Sequence, residues 1–346
     1  MKRLKEYCMV WVLVFVVLLG GKVKAEELTQ IKDSKAQEIL IKMQEEMKQI
    51  KVLQTELLID GETMMVLTVD SNTGVSYVNL YGSEIWVDQK AKIAYMKENG
   101  KYYFMPSESS ASSAEDTADE LMDVDSLVDM TYEGIVTYKN QECYKLRNVQ
   151  SVEGEEISVD YYIDMQYRLV ARVIQSEASS LEVVWNYPES YSVPEEVKKN
   201  AQLIAGYRTK KSKITYVSKF VKGETVFYAD SAKSAKGSVK IPDSIKVCGK
   251  SYKVYGISNG AFKGNKKINS VTIGKNVVKI GKQAFYKCSK LKNVRINSKS
   301  LNSVGSKAFY GNAKKLKVKV PKAKLSKYKK MIRKSKTSSN ITVTKF

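Results

Sequence analysis

The chain is predicted to fold as two joined modules of different class: an α+β module with helices packed on a curved antiparallel sheet, then a short solenoid of stacked parallel strands closed by a capping helix. Three observations predict this. Charge divides abruptly along the chain: residues 26–200 carry 16 Lys and Arg against 33 Asp and Glu, whereas residues 201–346 carry 37 against 3. Alternating apolar stretches between turn signals fill the first part, and a unit with a period of 23 and 24 residues fills the second. The whole chain of 346 residues has a net charge of +21 and no histidine. Lacking imidazole, it has no Ser-His-Asp or Cys-His nucleophile and no His-bearing zinc site.

The amino terminus reads as an export signal over 1–25. Lys2, Arg3 and Lys5 precede an apolar run of eleven residues at 9–19, then Gly20, Gly21 and a Val23-Lys24-Ala25 cleavage site. An eleven-residue helix rises only about 16 Å against a bilayer core of roughly 30 Å, so cleavage rather than a membrane span is expected. Cys8 precedes the apolar run, whereas a lipoprotein cysteine follows it, so no lipid anchor is expected. Cys143, Cys248 and Cys288 remain, too few and too scattered for a disulfide framework or metal spacing, with a Cys248–Cys288 bridge left open.

The acidic module, 26–200, opens with Ala36, Ile39, Leu40, Met43, Met47 and Ile50 at helical steps. Strands are expected at 54–60, 63–70, 75–81, 84–88, 92–96 and 101–105, punctuated by Asp60-Gly61, Ser71-Asn72-Thr73-Gly74 and Glu98-Asn99-Gly100. A serine-rich loop at 107–113 and an acidic helix at 115–129 interrupt them. Asp123, Asp125 and Asp129 crowd together there, but without the glycine and terminal glutamate of a calcium loop they read as a solvated face, and no metal or cofactor is expected. Further strands at 134–138, 142–149, 157–164, 169–175 and 181–187 complete an antiparallel meander.

The late run Tyr161-Tyr162-Ile163-Asp164, Leu169-Val170-Ala171-Arg172 and Tyr191-Ser192-Val193-Pro194-Glu195-Glu196-Val197 resembles the end of a LolA/LppX-type lipoprotein-carrier domain. That resemblance implies a half-barrel whose apolar cleft holds an acyl chain or a partner segment. Trp86, Tyr95, Tyr102, Phe104, Tyr162 and Trp185 are the candidate cleft residues, with ordinary strand core as the competing reading.

A linker is expected at 201–213, where the charge reverses, and the basic module at 214–346. Ile257-Ser-Asn-Gly-Ala-Phe262, Ile280-Gly-Lys-Gln-Ala-Phe285 and Val304-Gly-Ser-Lys-Ala-Phe309 are three copies of one unit. Nine and eleven residues after each phenylalanine stand Val271 and Ile273, Val294 and Ile296, and Val318 and Val320. Such a period with an L-x-x-V-x-I strand marks a leucine-rich repeat, and the Ala-Phe elbow resembles the BspA-like repeats of bacterial surface proteins. Asn265, Cys288 and Asn312 recur three residues after the phenylalanine, where a side chain serves the turn backbone. Val239-Lys240-Ile241-Pro242 reads as an earlier rung, a hairpin is expected around Cys248-Gly249-Lys250-Ser251, and a terminal helix carries Leu325, Tyr328, Met331 and Ile332, with Ile341 and Val343 in a last strand.

Since Val and Ile point inward, Lys292, Arg295, Lys317 and Lys319 are expected on the open sheet face as contacts for a polyanion or partner. Of the 37 basic residues in this module only Arg208, Arg295 and Arg333 are arginine, which fits diffuse attraction better than a shaped pocket. Anionic cell-wall polymer, glycan or host matrix is the expected partner, with simple solubility as the competing use of the charge. No nucleic-acid module appears, so nucleic acid is not expected. With no nucleophile elbow, phosphate loop or dinucleotide fingerprint, an enzyme is not expected. The leading reading is a secreted or surface-associated, non-enzymatic binding protein; the BspA-like resemblance implies adhesion. The alternative is a lipid or lipoprotein carrier acting through the first module.

Overall fold

A computed structural model describes residues 28–107, 127, 129–152, 155–313, 315–335 and 341–346. The expected signal segment, most of the serine-rich loop and nearly all of the acidic helix, including Asp123 and Asp125, lie outside the described residues. The chain divides into two compact units, residues 1–102 with 107–201, and Tyr103–Pro106 with Gln202–Phe346.

In the first unit, helix α1 (Ser34–Met47) precedes strands β1 (Val52–Ile59), β2 (Glu62–Asp70), β3 (Val75–Leu80), β4 (Ser83–Asp88), β5 (Ile93–Glu98) and the first two residues of β6 (Lys101–Pro106). After them come β7 (Thr131–Tyr138), β8 (Gln141–Val152), β9 (Glu155–Asp164), β10 (Leu169–Gln175), β11 (Ser180–Asn186) and the short helix α2 (Glu195–Asn200). The sheet order is β6-β5-β4-β3-β2-β1-β11-β10-β9-β8-β7. Two meanders therefore meet where β1 pairs antiparallel with β11, from Gln54↔Asn186 to Ile59↔Leu181.

The unit is largely strand, with α1 and the six-residue α2 as its helices among the described residues, so fewer helices pack on the sheet than the α+β class expected. Side chains alternate across each strand, so one face carries Leu53, Met65, Leu67, Val69, Val78, Leu146, Val159, Tyr161 and Trp185. Ala36, Ile39, Leu40 and Met43 of α1 join this core with 0% exposure. Asp33 sets the start of α1, its Oδ1 accepting from the backbone N–H of Lys35 and Ala36 while Oδ2 accepts from Tyr132.

The second unit does not begin as a linker and a first repeat. Residues 201–213 contain strands β12 (Gln202–Leu203) and β13 (Arg208–Lys211), and β13 pairs with β14 (Ile214–Val221), which pairs with β15 (Glu224–Ser231). This antiparallel arrangement supplies an upstream end for the solenoid, because β15 then pairs in parallel with β18 (Lys250–Ile257). Backbone groups that an open first rung would expose are thus paired. β17 (Ser244–Val247) folds back on β18 as a hairpin.

The remaining strands stack in parallel along two sides. One side continues from β18 to β20 (Lys279–Ile280) and β22 (Ser303–Val304). The other runs β16 (Gly237–Ile241), β19 (Ile268–Ile273), β21 (Asn293–Ile296), β23 (Leu316–Val320) and β24 (Ile341–Lys345). Helix α3 (Leu325–Lys334) buries Tyr328 and Ile332 and exposes its lysines. Between the sides, Phe262, Phe285 and Phe309 stack with centroids 4.8 and 5.3 Å apart and at most 1% exposure.

The turn around each phenylalanine repeats in the backbone. Phe262 N–H donates to Ala284 O, and Phe285 N–H to Ala308 O, tying each rung to the next. Positions two before and two after the phenylalanine are left-handed in all three copies: Gly260, Gln283 and Lys307, then Gly264, Lys287 and Gly311, with φ between 54° and 72°. A non-glycine residue there costs about 1 kcal/mol. Gly305 is required for another reason: a Cβ there would lie 2.4 Å from Lys282 N of the preceding rung.

Candidate functional site

Register defines the open face of the repeat unit. Val271, Ile273, Val294, Ile296, Val318 and Val320 point inward with 0–1% exposure. Residues between them point out, so Lys240, Thr272, Arg295 and Lys319 form one cross-strand row, and Ser238, Ser270, Asn293 and Lys317 form the next. Thr342 and Thr344 extend these rows on β24. The structure thus brings Arg295, Lys317 and Lys319 together on neighbouring strands. Lys292 is exposed but precedes β21, with its backbone oxygen accepting from Lys317 N–H.

The face is not a uniform lysine carpet, because its rows mix cations with Ser, Thr and Asn. Arg295 is also held more firmly than a free surface cation. Its guanidinium carbon lies 3.6 Å from the ring centroid of Phe346, and its Nε donates to Asn297 Oδ1 at 3.0 Å. Sequence reasoning missed Phe346 and Asn297; the only signal was Asn297 two residues beyond Arg295 on the same face.

The three acids of residues 201–346 are all engaged. Asp230 pairs with Arg208 at 2.7 Å and Glu224 with Lys253 at 3.1 Å, while Asp243 accepts from the backbone N–H of Lys275. Among the described residues, the other cations of this unit have no carboxylate within ion-pair distance in it.

Beneath that surface the turn ladder is closed. Asn265 donates through Nδ2 to Ala232 O and Ala235 O and accepts at Oδ1 from Lys267 and Ile268 N–H. Cys288 donates its Sγ–H to Phe262 O, and burial pushes its thiol up to about 12. Asn312 accepts from Cys288 N–H and donates to Phe309 O. Cys143, Cys248 and Cys288 are all free thiols, so Cys248 and Cys288 are not bridged.

The six aromatic residues expected to line one cleft are not assembled into one. Trp185 faces α1 in the core, paired with Thr55 on β1. Trp86 and Tyr95 are a cross-strand pair on the opposite face, where Tyr102 stands 6.4 Å from Trp86 and Tyr191 accepts from Trp86 Nε1–H at 3.1 Å. Tyr162 stacks on Tyr138 at 4.1 Å on β9, with five strands between it and Trp86 in the sheet order. Phe104 belongs with the second unit, in register with Leu203. Period-two alternation explains the split: pairing register puts 86 and 95 on one face and 185 on the other.

Among the described residues no cluster of acids and cysteines is placed to hold a metal, and no helix is long and apolar enough to cross a membrane.

Solved structures similar to this chain include three bacterial proteins. The lipoprotein LppX of Mycobacterium tuberculosis is 11% identical, covering 47% of this chain and 100% of its own, with a TM-score of 0.33. A leucine-rich repeat protein from Bacteroides capillosus is 21% identical over 40% of this chain and 98% of its own, with a TM-score of 0.31. A leucine rich cell surface protein from Faecalibacterium prausnitzii is 20% identical over 34% and 37%, with a TM-score of 0.28. No curated protein matches the sequence. Residues 255–345 match the family described as BspA type Leucine rich repeat region, in six copies.

Proposed function

We propose that this is an exported, non-enzymatic binding protein that attaches to a negatively charged surface through the open sheet face of its repeat unit. One observation carries the reading: Arg295, Lys317 and Lys319 project from adjacent parallel strands of a unit with 37 basic and 3 acidic residues. A BspA-type repeat is a binding scaffold whose rungs present side chains along one face. Lysine-rich, weakly shaped surfaces suit repeating anions such as wall polymer, acidic glycan or host matrix. The carrier reading takes second place, because the apolar core residues facing α1 are closed over and the six aromatic candidates are divided between two faces.

The test uses the full chain on immobilised lipoteichoic acid. Binding should fall steeply between 50 and 500 mM salt, and Arg295→Ser with Lys317→Ser and Lys319→Ser should weaken it about tenfold or more, since each cation near an anionic surface contributes about 1 kcal/mol. Binding that persists in high salt, or ignores the triple substitution, rejects this face as the contact.

A further inference from the structure

The turn edge of the solenoid carries a feature that the open sheet face does not explain. The residue after each stacked phenylalanine is Lys263, Tyr286 or Tyr310, and all three sit outside the core. Tyr286 and Tyr310 stack with centroids 5.7 Å apart and planes 12° apart. Three ammonium groups gather on these rings. Lys263 Nζ lies 5.7 Å and Lys287 Nζ 5.4 Å from the Tyr286 centroid, and Lys307 Nζ lies 5.9 Å from the Tyr310 centroid.

Two of these lysines occupy left-handed positions, where the equivalent residues of a sister copy are glycine. Lys287 corresponds to Gly264 and Gly311, and Lys307 to Gly260. Glycine is the less strained choice at those angles, so the fold alone does not ask for lysine there. Neither lysine has a carboxylate within ion-pair distance among the described residues. The tyrosine rings limit where the ammonium groups can go, which lowers the entropy lost when they meet an anion. Successive rungs stack about 4.8 Å apart, and each of the three copies contributes one of these lysines, at a different position in its turn.

We propose that this Lys263–Tyr286–Lys287–Lys307–Tyr310 strip is a binding site for a linear acidic polysaccharide, whose sulfate or carboxylate groups meet the ammonium row and whose hydroxyls meet the phenol groups. Nucleic acid is the less suitable polyanion, because base stacking needs free aromatic faces and here the rings stack on each other beside lysine. The proposal deepens the polyanion reading but places the contact on a different surface, so the two can fail separately.

The experiment measures full-chain affinity for heparin, with uncharged dextran and single-stranded DNA of similar length as comparison probes. Lys287→Gly with Lys307→Gly restores the sister-copy residue at each position, so folding is retained. The melting temperature should hold within about 2 °C or rise. Heparin affinity should fall about fivefold per lysine removed, and Lys287→Arg with Lys307→Arg should retain it. Unchanged heparin affinity in the glycine variant overturns the proposal, as does a large fall in melting temperature with unchanged binding, which assigns the lysines to folding. Tighter binding to DNA than to heparin overturns the polysaccharide assignment. Loss in this variant with none in the sheet-face triple variant supports the strip and rejects the face; the opposite pattern rejects the strip alone.

Discussion

Removing the Asn265 side chain should be among the most damaging polar substitutions in the repeat unit. Its amide makes four hydrogen bonds to backbone, at 2.9 and 2.9 Å as donor and 2.8 and 3.2 Å as acceptor, with only 7% of the residue exposed. Asn265→Ala takes this partner from Ala235 O and from the N–H groups of Lys267 and Ile268 in a tight turn, while Ala232 O keeps the N–H of Ala235. At about 1 kcal/mol for each lost bond the cost is about 4 kcal/mol. Asn312→Ala, which removes two bonds in a half-buried setting, should cost about 2 kcal/mol. Urea unfolding of each full-length variant, followed by hydrogen exchange of the 255–320 amides, measures both. With a slope of about 2 kcal/mol per molar urea, the midpoint for these amides should fall by about 2 M for Asn265→Ala and about 1 M for Asn312→Ala. A loss below about 1 kcal/mol at Asn265, or a larger loss at Asn312, would refute the turn ladder as a source of stability.

Gly305→Ala should destabilise the repeat unit strongly, because the new Cβ meets backbone at 2.4 Å that cannot swing aside; a thermal midpoint equal to that of the parent would contradict the packing. Asp33→Ala should cost about 1 kcal/mol at neutral pH in a denaturant titration. The backbone N–H of Tyr132, then that of Ala36, holds the Asp33 carboxyl below its ordinary 3.8, with Lys35 N–H adding to the effect. A depressed folded-state value means the stabilisation is present above the unfolded value and is lost as pH falls through the folded one, so parent and variant should converge in acid. Divergence there would oppose the cap. Cys288, buried and bonded to Phe262 O, should resist alkylation at pH 8 until urea opens the repeats; labelling of the native protein at the rate of a free thiol would show that the turn is open.

Particular residues show where sequence reasoning worked. The late strands expected at 157–164, 169–175 and 181–187 correspond to Glu155–Asp164, Leu169–Gln175 and Ser180–Asn186, because alternation and turn residues are local signals. The rung at 239–242, the hairpin around Cys248 and the terminal helix are likewise observed. Strands Arg208–Lys211, Ile214–Val221 and Glu224–Ser231 went unforeseen, since lysines interrupt the pattern of the first two and the charge reversal looked like a linker.

By itself, the sequence determined the repeat, its inward Val and Ile positions and the separation of charge, since periodicity and composition are properties of the chain. Only tertiary structure decided which side chains meet. Trp86 and Trp185 are similar as letters, yet pairing register sends them to opposite faces of one sheet. Phe346, distant in sequence, reaches Arg295 because β24 is the last strand laid beside β23. Lysines 287 and 307 become unusual only when their backbone angles are known, since left-handed strain is invisible in a residue name.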